Sequence, residues 1–312
     1  MSRLRLLSFA ILALGIPAPA SAQPPSGPPV HVERRSAELE GGTIARVATR
    51  WTPDASTSGA SLTLGDETPT VLIRGATAAA IERGERVAIV AYEAFDGGAP
   101  FRFRVLRREA GRASVSEERS FARPGTRAGD YPLAVAIAPV AGRGFAVFFE
   151  EVQADDPSAA RTYLFQLDLD GQPLDAGHEI PVPWPLAAAT WNGHGYHLGV
   201  LYPGGGTGMR LSVVSITPDG TPEQHPDWSS APGFIADVHL VSERDHIHAH
   251  YRGGSGGEHW LECDVTTIGS WGSDSRTATD HGRFEPDATL VVDVHGHVAR
   301  APSRDDGISA GH

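Results

Sequence analysis

Lysine is missing altogether: the 26 basic residues of this 312-residue chain are all arginine. That excludes Schiff-base chemistry on a lysine amine and the lysine of a phosphate-binding loop. Cysteine is nearly missing too, and a lone Cys263 cannot form an internal disulfide. It is expected as a partly buried strand residue, not a reactive thiol. Positive charge is short overall, with 38 acidic residues setting a formal net charge of -12. Such a balance disfavours nucleic acid, whose phosphates would repel the chain, and equally disfavours anionic membrane surfaces. Beyond residue 22 no stretch is long and apolar enough to span a bilayer.

The first 22 residues read as a secretory signal peptide. Arg3 and Arg5 form its positive end, Leu6 to Leu14 its apolar core, and Ala20-Ser21-Ala22 its cleavage site before Gln23. No cysteine follows that site, so a lipid anchor there is excluded, and the expected location is secreted or periplasmic. Residues 23–30 form a Pro-rich leader unsuited to a sheet interior. Residues 31–301 are expected as one domain, and residues 302–312 as a disordered tail.

Within the domain one phrase recurs. Its clearest copy starts at Leu186 to Trp191, turns through Asn192-Gly193-His194-Gly195, and runs on from Tyr196 to Tyr202. Asn-Gly predicts a hairpin, because a primed turn needs positive φ at both central residues. Leu198, Val200 and Tyr202 alternate, which puts them on one face of a strand. After a glycine loop, Gly204 to Gly208, a third strand leads through Asp219-Gly220 into a fourth. The same apolar, apolar, aromatic spacing recurs at Val47-Thr49-Trp51, Ala88-Val90-Tyr92, Phe145-Val147-Phe149 and Ile247-Ala249-Tyr251. A sixth hairpin, Ala288 to Asp293 with His297 to Ala301, has no strands after it.

Four strands every 40 to 50 residues or so is the period of propeller blades. On these hairpins, and on third-strand endings such as LDLDGQPL (167–174) and ITPDGTPE (216–223), the chain resembles secreted bacterial β-propellers at the level of architecture. The fold class expected is all-β: a β-propeller of five to six four-stranded blades, the last incomplete. A pair of β-sandwiches is the alternative, because sandwich strands also recur at short intervals.

Several clusters invite a chemical reading. In Asp245 to Tyr251, strand alternation throws His246, His248 and His250 to one face, and His239 on the preceding strand adds a fourth imidazole, a set suited to Zn²⁺. His295-Gly296-His297 repeats the spacing, although its glycine marks a turn. Asp168-Leu169-Asp170-Gly171 resembles the start of a Ca²⁺ loop, but Pro173 stands where that loop needs glycine, so a hairpin turn explains it better. Gly253-Gly254-Ser255-Gly256-Gly257 matches a hydrolase nucleophile elbow in letters only, because strands flank it on both sides. Glu93 and Asp96, and Glu150, Glu151, Asp155 and Asp156, gather where second strands end, on the face expected to surround the channel mouth. Paired carboxylates there could cleave a glycosidic bond or hold Ca²⁺.

The function expected is therefore a binding or interaction scaffold that requires no cofactor. Its protein or glycan partner would contact the loops around residues 93–100, 150–160, 203–209 and 252–258. The alternatives are a glycan-acting hydrolase that uses the loop carboxylates, and a metal-binding protein centred on His246, His248 and His250; the ion would be Zn²⁺ on the histidines, or Ca²⁺ on the carboxylates.

Overall fold

A computed structural model describes residues 31–51, 58–75, 77–94, 100–122, 130–153, 160–182, 185–203, 208–222, 228–230, 232–243, 246–254, 258–265, 278–285 and 288–302. The expected signal peptide, leader and nearly all of the expected tail lie outside these residues. Among the described residues every regular element is a strand.

Strands follow the alternation of the sequence, and turns fall where glycine and Asx residues permit them. The Asn192-Gly193 turn shows how. Gly193 adopts φ 96°, and the Asn192 side-chain oxygen accepts bonds from the amides of His194 and Gly195 at 2.9 and 3.0 Å. Gly144 has φ 131°, and a Cβ there would stand 2.0 Å from the Leu167 carbonyl oxygen, so only glycine fits that tight approach.

The strands form five sheets, and within each blade the four strands lie in chain order. Blade 1 is β1 (His31–Leu39), β2 (Thr43–Trp51), β3 (Gly59–Leu64) and β4 (Thr70–Arg74). Blade 2 is β5 (Thr77–Arg83), β6 (Ala88–Ala94), β7 (Phe101–Glu109) and β8 (Arg112–Val115), with the short β9 (Arg119–Ser120) also paired to β7. Blade 3 is β10 (Tyr131–Val140), β11 (Gly144–Val152), β12 (Ala160–Leu167) and β13 (His178–Ile180). Blade 4 is β14 (Leu186–Trp191), β15 (Tyr196–Pro203), β16 (Met209–Ile216) and β17 (Trp228–Ser229). Blade 5 is β18 (Phe234–Glu243), β19 (His246–Gly254), β20 (His259–Asp264) and β21 (Thr279–Arg283). Consecutive blades stack through their innermost strands, β1, β5, β10, β14 and β18, and β18 also touches β1. The chain is a five-bladed β-propeller.

The last hairpin, β22 (Ala288–Val292) and β23 (Val298–Pro302), is not a separate blade. β22 pairs in parallel with β1, Ser36 opposite Val291 and Ala37 opposite Val292, which extends blade 1 to six strands. Of the arrangements the sequence left open, five blades plus an extra hairpin is the one observed. The hairpin joins the two ends of the wheel, because Ala288, Leu290 and Val298 also pack on Trp260 and Phe284 of blade 5.

Apolar contact fills the seams. Ala88, Val90 and Tyr92 face blade 1, Phe145, Val147 and Phe149 face blade 2, Leu198 and Val200 face blade 3, and Ile247, Ala249 and Tyr251 face blade 4. The recurring apolar triplet thus marks the surface turned toward the preceding blade. Blade 1 departs from the rule: Val47 packs forward with blade 2.

Candidate binding site

One end of a propeller gathers the starts of the innermost strands, the ends of the second strands and the loops that follow them. Here the backbone at that end is irregular in three blades. The register between first and second strands shifts between Pro132 and Ala134, between Leu186 and Ala188, and between Ala236 and His239. Such bulges bend a strand and re-aim its side chains. Three large apolar side chains project there: Tyr131 and Leu133, each 39% exposed, from β10, and Phe234, 44% exposed, from β18.

The carboxylates expected to line this mouth behave in the opposite way. Glu93, Glu150 and Glu151 are 1%, 0% and 1% exposed. Glu150 Oε2 accepts a 2.8 Å bond from the Leu186 amide, so it ties blade 3 to the bulge of blade 4. Burial raises its pKa to about 8, against the lowering effect of that bond. Glu151 Oε1 accepts a 3.1 Å bond from the Tyr163 hydroxyl. Glu150 thus joins two blades inside the wall, and Glu151 braces the second strand of blade 3 against the third. Asp96, Asp155 and Asp156 lie outside the described residues, as do residues 95–99, 154–159, 204–207 and 255–257 of the loops named as contact regions, the last including Ser255 of the elbow-like glycine run.

A charged cluster that the spacing did not reveal sits at the blade 5 bulge. Asp237 is buried and holds φ 49°, a left-handed conformation uncommon for a residue with a side chain. Burial pushes its carboxyl up, and Arg252, with Nε 3.1 Å from Oδ2, works against that shift. Arg252 also pairs with Glu258 at 2.9 Å and lies 5.7 Å from the Phe234 ring centroid and 5.3 Å from that of Phe284. Arg35 of β1 donates to Val238 O at 3.3 Å and pairs with Glu33 at 2.8 Å, which fastens blade 1 to the same bulge. One signal was available for Asp237: a lone acid inside the apolar run FIADVHL.

The histidines fall on the forward face of blade 5. His239 pairs with His250 across β18 and β19, and the rings of His246, His248 and His250 follow one another with centroids 6.3 Å apart. That face is packed only at its inner side: His239 and His250 are buried, while His246 and His248 are not. Carboxylates occupy most of the imidazoles. His246 Nδ1 lies 2.9 Å from Asp264, His248 Nδ1 lies 3.2 Å from Glu262, and His281 Nε2 lies 2.7 Å from the other oxygen of Glu262. His239 Nδ1 stands 3.6 Å from Glu82 of blade 2. Burial lowers the His250 pKa to about 4, partly offset by Glu262. Burial pushes Glu262 up, yet the His281 bond and the neighbouring imidazoles hold it below the usual carboxylate range. Among the described residues no group of three or more His, Cys, Asp or Glu is arranged to hold a metal ion.

The remaining motifs are structural. Asp168 Oδ1 accepts bonds from the amides of Asp170 and Gln172 at 2.9 and 2.7 Å, and Asp293 Oδ1 does the same for His295 and His297 at 2.7 and 2.9 Å. Both are Asx-type turns. Cys263 is buried, and its thiol is pushed up to about 11 by burial.

No protein-family model matches the sequence, and no curated protein matches it. Solved structures resemble it in fold. The lectin of Aleuria aurantia, a six-bladed propeller that recognises fucose, is 10% identical with a TM-score of 0.43 over 87% of this chain and 86% of its own. An α-L-arabinanase of Penicillium chrysogenum is 12% identical, TM-score 0.41, over 84% of each chain. An α-L-arabinofuranosidase of Clostridium thermocellum is 10% identical, TM-score 0.40, over 74% of this chain and 89% of its own. At these identities the likeness is one of fold alone.

Proposed function

We propose that this chain is an exported binding module whose ligand, a glycan, seats on the strand-start end of the propeller. One observation carries the reading: at that end Tyr131, Leu133 and Phe234 are presented, while Glu93, Glu150 and Glu151 at the ends of the second strands are withdrawn. Tyr131 and Phe234 offer ring surface to the C–H faces of a sugar. Arg102, paired with Glu118 at 3.7 Å at the start of β7, adds polar groups at the same end. Burial of bare apolar surface supplies affinity, and a few placed polar groups fix orientation.

The hydrolase alternative needs a proton donor and a nucleophile that reach the glycosidic bond. Glu93, Glu150 and Glu151 are enclosed, and Glu150 and Glu151 are bonded to wall residues, so their placement supports binding over cleavage. A glycan array probed with the chain lacking residues 1–22 tests this. Binding that survives Glu150→Gln and falls roughly tenfold or more in Tyr131→Ala and Phe234→Ala is the expected result. Release of free sugar, or binding indifferent to both aromatic substitutions, would refute it.

A further inference from the structure

Five blades pair their second strand on both sides, and the extra hairpin does not. Among the described residues β23 is the last strand of its sheet, bonded only to β22. Its counterpart in blade 3, β11, is buried along its whole length, whereas Ala299 and Arg300 of β23 are exposed.

The register shows which groups are unused. Asp293 N donates to His297 O, so these two residues form a hydrogen-bonded pair. Antiparallel pairs alternate from there, so the backbone groups of Ala299 and Ala301 turn toward β22, and those of Val298, Arg300 and Pro302 turn outward. Pro302, which has no N–H to offer, occupies an outward position, as edge prolines do.

A strand added here has its wall already defined. In blades 2 and 3 the third strands stack on each other, Phe101 with Tyr163 at 5.2 Å and with Phe165 at 5.6 Å between centroids. By the same repeat a third strand beside β23 lies over β20. The pairings of Glu93 with Phe101 and of Arg252 with Trp260 align the two blades, so that Phe101, Phe103 and Val105 correspond to Trp260, Glu262 and Asp264. None of these last three is fully buried. The wall offers the carboxylates of Glu262 and Asp264, each with a histidine beside it, on a chain of net charge -12.

We propose that the open edge of β23 takes an extended, basic polypeptide strand from a partner, which adds a third strand to the extra hairpin. Main-chain bonds to Val298 and Arg300 supply affinity, and Lys or Arg at alternate positions meets Glu262 and Asp264. A second copy of this chain is disfavoured because both copies carry the same excess of negative charge.

The experiment uses a dye-labelled peptide of alternating Lys and Val, with a Glu-Val peptide as control, and reads anisotropy together with amide hydrogen exchange. Expected are binding of the Lys peptide alone, weakened by salt, and slowed exchange at Val298 and Arg300. Arg300→Pro removes the outward N–H and should weaken binding about tenfold or more, while Arg300→Ala, which keeps it, should not. A thermal melt of each variant separates loss of binding from loss of fold. Equal binding of both peptides, no binding, or protection away from β23 each overturns the proposal. So does protection of β23 in the peptide-free chain. If that protection grows with concentration the occupant is a second copy, and if it does not the occupant is another segment of the same chain.

Discussion

The seam between blades 2 and 3 and the seam between blades 5 and 1 occupy equivalent places in the wheel and are built from opposite chemistry. In the first, Phe101 stacks on Phe149 at 4.6 Å and Phe103 on Phe121 at 4.7 Å, with Ile89 and Ala91 beneath them. In the second, the residues aligned with Ile89 and Ala91 are His248 and His250, and those aligned with Phe103 and Val105 are Glu262 and Asp264. The facing side of blade 1 is polar as well: Ser36, Arg46, Ser61 and Thr63 are buried there. An aromatic seam needs a full partner sheet to exclude water. Where the wheel supplies only a two-stranded hairpin, a polar surface is the one that tolerates partial exposure.

The difference should be measurable as stability. Phe101→Ala, in the aromatic seam, removes a ring with no exposed surface and should cost about 3–5 kcal/mol in urea unfolding. A loss below about 1 kcal/mol would show that the seam repacks around the gap.

Buried ionisable groups sharpen the contrast through pH. Glu150, between blades 3 and 4, has its pKa raised to about 8. A raised carboxyl contributes stability that is complete below its unfolded pKa, near 4.5, and disappears as pH climbs through about 8. Glu150→Gln keeps an acceptor for the Leu186 amide and removes the charge. At pH 9 it should be more stable than the parent by roughly 3 kcal/mol, with little difference at pH 5. Equal stability of the two chains at both pH values would mean that water reaches this carboxylate.

Much of this architecture was legible in the sequence. Asn192-Gly193 and Asp219-Gly220 placed hairpins correctly, and the apolar triplets of blades 2 to 5 identified one buried face each, because a period of two admits only one such face. The site was less legible, for physical reasons. Glu150 and Glu151 follow Phe149 directly, and a letter string does not say whether a strand-end acid turns outward or caps the bulge of the next blade. Asp237 depends on a bulge, which breaks the alternation that reading by pattern relies on. The parallel pairing of β22 with β1 joins residues some 250 positions apart, and no local signal encodes it. Which neighbouring blade a triplet faces is not encoded in its spacing: Val47 packs toward blade 2, whereas Val90 packs toward blade 1.

His250 should show the opposite pH slope to Glu150. Its pKa is lowered to about 4 from a usual 6.5, so its contribution is complete above 6.5 and declines as pH falls toward 4. His250→Leu should flatten the acid limb of the stability profile by about 2 kcal/mol between pH 7 and pH 4. An unchanged acid limb would locate the acid sensitivity in another group, with His239 beside Glu82 the next to substitute.

The smallest effect belongs at the outer rim of the same face. The His246 ring is 57% exposed and its partner Asp264 37%. Solvent screens an exposed pair, and ordering two side chains offsets most of the attraction, so His246→Ala should change stability by less than about 0.5 kcal/mol. His250 and His246 lie on one strand and one face, four residues apart, and differ chiefly in depth. If His246→Ala cost as much as the change at His250, the outer part of the blade 5 face would be covered, and the open third-strand position beside β23 would be lost with it.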